Sequence, residues 1–256
     1  MRIATWNLRR PRRMDARLER LLDKIRKVDA DVWILTETHD EAVPGPSYCS
    51  KSSSELGGIF GKGERRTTIW TRLPIIAEIQ VFDEESAACV EVQTTNGKMI
   101  VYGTVLPYGN AGTNYEYNSG GKKHVHEKSW KLHYDSILEH EQDLSKIQAL
   151  YPEHAICFGG DLNQSRDGRR WGNGQWYGTG KGRELLSQSL ENRGLICLTE
   201  QDFVDSRHLT TRSNIDHLCL NKRLDNLVTS VIAWESTQLA GKQDTDHNGV
   251  YIDISI

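Results

Sequence analysis

The 256-residue sequence has no long hydrophobic run, and no stretch approaches the length needed to cross a bilayer as a helix. The opening "MRIATW" lacks the apolar region of a secretory leader. Cysteine is sparse and odd in number: Cys49, Cys89, Cys157, Cys197 and Cys219 are widely scattered, and none forms a C-x-x-C pair. That pattern excludes a disulfide framework and a structural zinc site of the usual spacing. All but Cys49 lie in apolar runs and read as small buried hydrophobes in a reducing compartment. The cytoplasm is therefore the expected location, with no membrane partner. Charge of one sign is also lacking, because the formal net charge is only −3. A polyanion would have to be met by local basic patches. Repeats, low-complexity tracts and linker-like composition are absent too, so one domain over residues 1–256 is expected.

What is present is an alternation of apolar strands and amphipathic helices. "RIATWNL", "DVWILTET", "EIQVFDE", "AACVEVQTT", "KMIVYGTVLP", "HAICFGGDLN", "LICLTE", "IDHLCLN", "VTSVIAWE" and "GVYIDISI" read as strands. "GGIFGKG" and "TTIWTRLPII" read as a hairpin. Helical spacing covers Met14–Val28, the stretch from Trp130 to Leu150, and a shorter helix holding Leu185, Leu186 and Leu190 that Gly194 ends. Two long polar segments, "YGNAGTNYEYNSGGKKHVHEK" and "QSRDGRRWGNGQWYGTGKG", carry aromatic and basic residues and suit a working surface.

Polar residues recur where apolar strands stop: Asn7, Glu37, Asp161 with Asn163, Asp216 with His217, and Asp246 with His247. Singly each is an ordinary turn or cap residue. Together they offer oxygen ligands for a hard divalent cation, a general base and an imidazole.

The ordered set "TWNL", "ILTET", "TRLPI", "GGDLN", "IDHL" and "TDHNGV" resembles the endonuclease/exonuclease/phosphatase superfamily. That group takes in abasic-site endonucleases, pancreatic-type DNases, deadenylases, tyrosyl-DNA phosphodiesterases, inositol polyphosphate phosphatases and neutral sphingomyelinases. The resemblance implies a four-layer α/β sandwich, two mixed β-sheets packed face to face with helices outside, and a site on loops at one edge. It implies Glu37 as the principal Mg²⁺ or Mn²⁺ ligand, with Asn7 beside it and Asp246 completing the metal site. Asp161 would orient or deprotonate the attacking water and Asn163 would hold the phosphate. His247, kept in place by Asp216, would hydrogen-bond a phosphoryl oxygen. The chain departs from the abasic-endonuclease pattern at Arg9, where that branch places an acid, and at Val105, where it places a tyrosine; Tyr108 stands just beyond.

The physics agrees with these roles. In-line attack on a phosphodiester needs a placed water, neutralised equatorial oxygens and help for the leaving oxygen. The basic run "NLRRPRR" puts Arg9, Arg10, Arg12 and Arg13 at the start of a helix, an end that already favours anions. Substrate phosphate would explain them. Arg166, Arg169 and Arg170 lie among Trp171, Trp176 and Tyr177, a mixture that suits a strand whose bases stack while its phosphates are held. Lys122, Lys123, His124 and His126 form a further basic cluster. The expected substrate-binding set is Arg9, Arg10, Tyr108, Arg166, Arg169 and Trp171. A metal-dependent phosphodiesterase acting on DNA or RNA is the leading expectation. A phosphomonoesterase for inositol phosphates or other small esters, or a non-catalytic nucleic-acid binder, remain the alternatives.

Overall fold

A computed structural model of the chain describes residues 1–11, 16–56, 61–167, 177–210, 214–236, 238–239 and 242–256. In chain order its main elements are β1 (Arg2–Asn7), α1 (Ala16–Val28), β2 (Val32–His39), β3 (Cys49–Ser52), β4 (Glu64–Thr71), β5 (Ile75–Glu78), β6 (Ala87–Thr94) and β7 (Gly97–Val105). There follow β8 (Tyr117–Ser119), β9 (Lys122–His124), α2 (Lys131–Leu150), β10 (Ala155–Asp161), α3 (Gly180–Asn192), β11 (Leu195–Cys197) and β12 (Asp216–Asn221). The chain closes with β13 (Val228–Trp234), the short pair β14 (Gln238–Leu239) and β15 (Lys242–Gln243), and β16 (Gly249–Ile254).

Two six-stranded sheets result, in the orders β13-β16-β1-β2-β4-β3 and β11-β12-β10-β7-β6-β5. Each is mixed for the same reason. β1 and β2 are parallel and joined through α1, and β7 and β10 are parallel and joined through α2, while the other ladders are antiparallel. A parallel pair needs a long crossover, and a helix supplies it.

Strand alternation then sorts the side chains. Ile3, Val32, Ile34 and Ile69 of the first sheet meet Val90, Met99, Val101, Cys157 and Leu218 of the second in one buried cluster. On the outer face of the first sheet, Ala4, Trp6, Trp33 and Leu35 pack under Leu18, Leu21, Leu22 and Ile25 of α1. On the outer face of the second, Cys89, Ile100, Tyr102 and Phe158 pack under Ile137, Leu144 and Ile147 of α2 and Leu186 and Leu190 of α3. The central strands are buried on both faces, which is why "VWIL" and "AICF" are continuous apolar runs. The architecture is the expected helix–sheet–sheet–helix sandwich.

Three expectations about elements are corrected. Of the hairpin expected from "GGIFGKG" and "TTIWTRLPII", residues 57–60 lie outside the described residues, and "TTIWTRLPII" is not one strand: it is split between the end of β4, which pairs with β3 and β2, and the start of β5. "EIQVFDE" is not one strand. β5 ends at Glu78, and Asp83 accepts hydrogen bonds from the backbone of Glu85 and Ser86, forming a turn. The polar segment after Pro107 contains the hairpin β8–β9, turned through Gly120 and Gly121 at positive φ. No helix among the described residues is long and apolar enough to cross a membrane.

Candidate active site

The topology gathers strand ends at one edge of the sandwich. β1 and β2 are parallel, so Asn7 and Glu37 arrive together; β16 runs antiparallel to β1, so the loop before it, with His247, returns to that edge. In the second sheet β10 ends at Asp161, and antiparallel β12 begins at its direct partner Asp216. The two sheets are joined here by a hydrogen bond from Asn7 Nδ2 to Asp161 Oδ2 at 2.9 Å.

Local sequence makes these positions possible. A side chain on Gly160, which sits at φ 129°, would place its Cβ 2.0 Å from the Thr104 carbonyl oxygen. On Gly159 a Cβ would lie 2.5 Å from the His217 carbonyl oxygen. "GGD" thus lets β10 lie flush between β7 and β12 at the point where Asp161 is presented. Four non-glycine residues at this edge hold positive φ: Arg9 (52°), Arg10 (50°), Glu37 (41°) and Asn163 (48°). Such backbone costs about 1–3 kcal/mol per residue and collects where function over-determines geometry.

The polar array is closed and almost dry. Asp161 is buried, its Oδ1 accepting the Asn163 N–H at 3.0 Å. Asn163 Nδ2 donates to the Leu106 carbonyl at 2.8 Å, fixing the turn that follows β10. His247 Nδ1 meets Asp216 Oδ2 at 2.7 Å, and its Nε2 points toward Asp161 Oδ2, 3.9 Å away. Asp216 is buried, and its Oδ1 has no hydrogen-bond partner among the described residues. Asn214 Nδ2 donates to the Asp216 carbonyl.

These contacts push the two central groups the same way for opposite reasons. Burial raises the Asp161 carboxyl, and the negative charges of Asp216 and Glu37 add to it, taking it from 3.8 to about 7 against the pull of His247 and Asn7. Burial opposes the charged form of His247, but Asp216 and Asp161 outweigh it and lift the imidazole to about 10. His247 is therefore a cation at neutral pH and a proton donor in character, and Asp161 is poised between acid and base.

Thr245 is a residue that sequence reasoning missed. Its Oγ1 donates to the Asn7 carbonyl at 2.9 Å and accepts the His247 N–H at 3.2 Å, pinning the "TDH" turn to β1. Its position two residues before a histidine in a short polar run was the available signal. His217, by contrast, is drawn away from the site. Neighbouring strand residues face opposite sides, and its ring is buried between Thr199 Oγ1 at 3.0 Å and the Gln164 carbonyl at 2.8 Å.

The remaining expected residues divide. Arg10 donates its N–H to the Glu37 carbonyl at 2.6 Å, and its guanidinium lies 3.4 Å from Glu37 Oε1; Arg9 Nε lies 3.7 Å from Asp246 Oδ1. Both arginines stand at the rim. Tyr108 follows the segment bonded to Asp161 and Asn163 and is exposed. Arg166 is not gathered into the site: its side chain is only 6% exposed and is bonded to Glu200 at 3.0 Å and Ser187 at 3.1 Å. Arg12, Arg13, Arg169, Arg170, Trp171 and Trp176 lie outside the described residues.

Among the described residues, ligand atoms of Asp161, Asp216 and His247 lie within 4.8 Å of one another. The geometry suits a cation held by carboxylate oxygens. His247 is committed to Asp216 and protonated, so within this group the carboxylate oxygens of Asp161 and Asp216 are the donors that suit a hard cation.

Comparison with known proteins places the fold. An AP endonuclease from Archaeoglobus fulgidus superposes with a TM-score of 0.68 at 14% identity, covering 100% of both chains. The 3′ phosphatase NExo from Neisseria, bound to its product DNA hairpin, gives 0.67 at 14% identity with the same coverage. The endonuclease domain of TRAS1, a telomere-specific non-LTR retrotransposon, gives 0.62 at 14% identity over 100% of this chain and 98% of its own. At such low identity these likenesses speak for the fold alone. No curated protein is similar enough in sequence to count as a match. The sequence model of the endonuclease/exonuclease/phosphatase family matches residues 4–239, nearly the whole chain and every strand end that builds the site but the His247 turn, and on that match the chain belongs to this family.

Proposed function

We propose that the chain is a Mg²⁺- or Mn²⁺-dependent phosphodiesterase that hydrolyses nucleic acid, with water attacking in line. The observation that carries this reading is the continuous array Asn7–Asp161–His247–Asp216, spanning both sheets with a base and a cationic donor side by side.

Asp161 accepts the proton of the attacking water. Asn7 and the Asn163 N–H each hold one of its oxygens and aim the carboxylate. Its raised pKa keeps it basic enough to take a proton and ionised in a useful fraction near neutrality. His247 donates through Nε2 to a non-bridging phosphoryl oxygen, and Asp216 fixes the ring through Nδ1. Arg9 and Arg10 at the rim meet flanking phosphates with their guanidinium groups. Glu37, with Asn7 beside it and Asp246 at the rim, would hold a hard divalent cation. Such a cation, when bound, neutralises charge on the phosphoryl oxygens and lowers the pKa of coordinated water. Burial is the larger cause of the raised Asp161 pKa, and the negative charge that Asp216 and Glu37 add to it is what a cation would relieve. Nucleic acid is favoured as substrate because one structural neighbour is a phosphatase captured with a DNA hairpin.

A substrate panel tests the reading. Pure protein is offered single-stranded and duplex DNA, RNA and inositol phosphates, each with Mg²⁺, with Mn²⁺ and with excess chelator. Cleavage of a nucleic acid that needs the divalent ion is the expected result. Full hydrolysis in chelator, or release of phosphate only from inositol phosphates, overturns it.

A further inference from the structure

Beside Asp161 stand two tyrosines that the hydrolytic array does not use. Tyr108 is 42% exposed and Tyr177 37% exposed, yet neither is loosely held. Tyr108 leaves β7 through a segment bonded on both sides to the array: Leu106 N–H donates to the Asp161 carbonyl at 2.9 Å, and Asn163 Nδ2 to the Leu106 carbonyl. Its ring meets the edge of Tyr117 at 6.2 Å. Tyr177 is tied to the chain just past Asn163, because Ser165 N–H donates to its carbonyl and its own N–H donates to Ser165 Oγ, both at 2.8 Å.

Trp130 links the two. Its ring lies 5.6 Å from that of Tyr177 at 60°, and its backbone N–H donates to the carbonyl of Gly109, the residue after Tyr108, at 2.6 Å. Trp130 sits at φ 66°, and a Cβ on Gly109 would come within 2.6 Å of the indole, so only glycine lets the indole lie against this backbone. A bulky residue in left-handed conformation is costly, and here it buys rigidity for the rim.

A rigid, exposed aromatic face loses little entropy on binding and is matched by a flat apolar partner. Phosphate is not such a partner; a nucleobase one linkage from the phosphate is. In an intact duplex both faces of each base are already stacked, so a ring at this position gains only from a base that is unpaired or splayed. We propose that Tyr108 and Tyr177, braced by Trp130, form the stacking platform for the base that flanks the scissile phosphate, and that the chain acts on single-stranded or locally unpaired nucleic acid in preference to intact duplex. This rests on the nuclease reading above.

The test compares two strands of equal charge, a short oligothymidylate and the same sugar–phosphate backbone without bases, by equilibrium binding in Ca²⁺. Equal phosphates give equal electrostatic attraction, so the difference isolates the bases. The native protein binds the base-bearing strand about tenfold tighter, the effect of roughly one stacked base. Tyr177→Leu and Tyr108→Leu bring the two affinities together, and Tyr177→Phe, which keeps the ring, preserves the gap. Equal binding by the native protein, absence of binding to either strand, or an undiminished gap in both leucine variants overturns the proposal. Thermal melts identify a leucine variant that fails to fold, in which case the other variant and the native comparison decide. Because no cleavage is read, failure of the nuclease reading appears separately, as absence of hydrolysis in the substrate panel.

Discussion

At the scale of single residues, the site is two carboxylates and an imidazole forced into one dry corner, and the conflict among them sets its chemistry. The folded chain holds the Asp161 proton up to about pH 7, whereas an exposed carboxylate releases it near 3.8. The contribution of this group to stability is therefore complete below pH 3.8 and is lost as pH rises through 7. Asp161→Asn carries no such charge. In metal-free buffer the variant should match the native protein near pH 4 and exceed it at pH 8 by up to about 4 kcal/mol. Denaturant melts across that range check the sign, and a gap that does not change with pH would contradict it. His247 runs the same way in a higher window: its raised pKa stabilises the fold below 6.5, and that contribution disappears as pH climbs through about 10. Much of this corner was legible in the sequence. Polar residues that interrupt apolar runs at Asn7, Glu37, Asp161, Asp216 and His247 are singly ordinary turn residues, and their recurrence at one strand end after another is what marked the corner. Thr245 and the side to which His217 turns were not legible, because both depend on which face of a strand or turn meets the other sheet.

At the scale of elements, buried strands and amphipathic helices were readable because their periodicity is enforced over many residues. The places that failed are short and polar. β3 and β9 carry almost no apolar residue, so their pairing is set by what lies beside them. Arg166 illustrates the same limit: a basic residue in a polar loop reads as a phosphate contact, but Glu200 and Ser187 claim its side chain. The "GGD" turn is the opposite case, since its composition announces close backbone approach. Gly160→Ala should lose at least about 2–3 kcal/mol, because left-handed strain adds to a clash with backbone that cannot swing aside. Gly194→Ala is the internal control. Its φ is 61° with no atom within 4 Å of a new Cβ, so strain alone remains, about 1 kcal/mol. Melts of the two variants should separate by more than 1 kcal/mol, with turnover reduced in Gly160→Ala and retained in Gly194→Ala. Equal losses would mean that β10 yields easily.

At the scale of the whole molecule, the site exists because two sheets meet. Neither sheet alone holds a complete set: Asn7, Glu37 and the His247 turn come from one, and Asp161 and Asp216 come from the other. The seam between them is an apolar layer running from Ile3 to Leu220, which locks the relative position of the two halves. Burying the seam also desolvates Asp161 and His247, so the packing that stabilises the sandwich is the same packing that tunes the pair. The central claim is that Asp161 activates water for attack on a phosphodiester. Its most direct test is single-turnover cleavage of an end-labelled single-stranded oligonucleotide in Mg²⁺, with affinity measured alongside, for the native protein and Asp161→Asn. Cleavage by the native protein, slowed by about 10²–10⁴-fold in the variant at equal or tighter affinity, is the predicted result. A variant that cleaves at the native rate, or a native protein that binds the strand and never cuts it, would contradict the account.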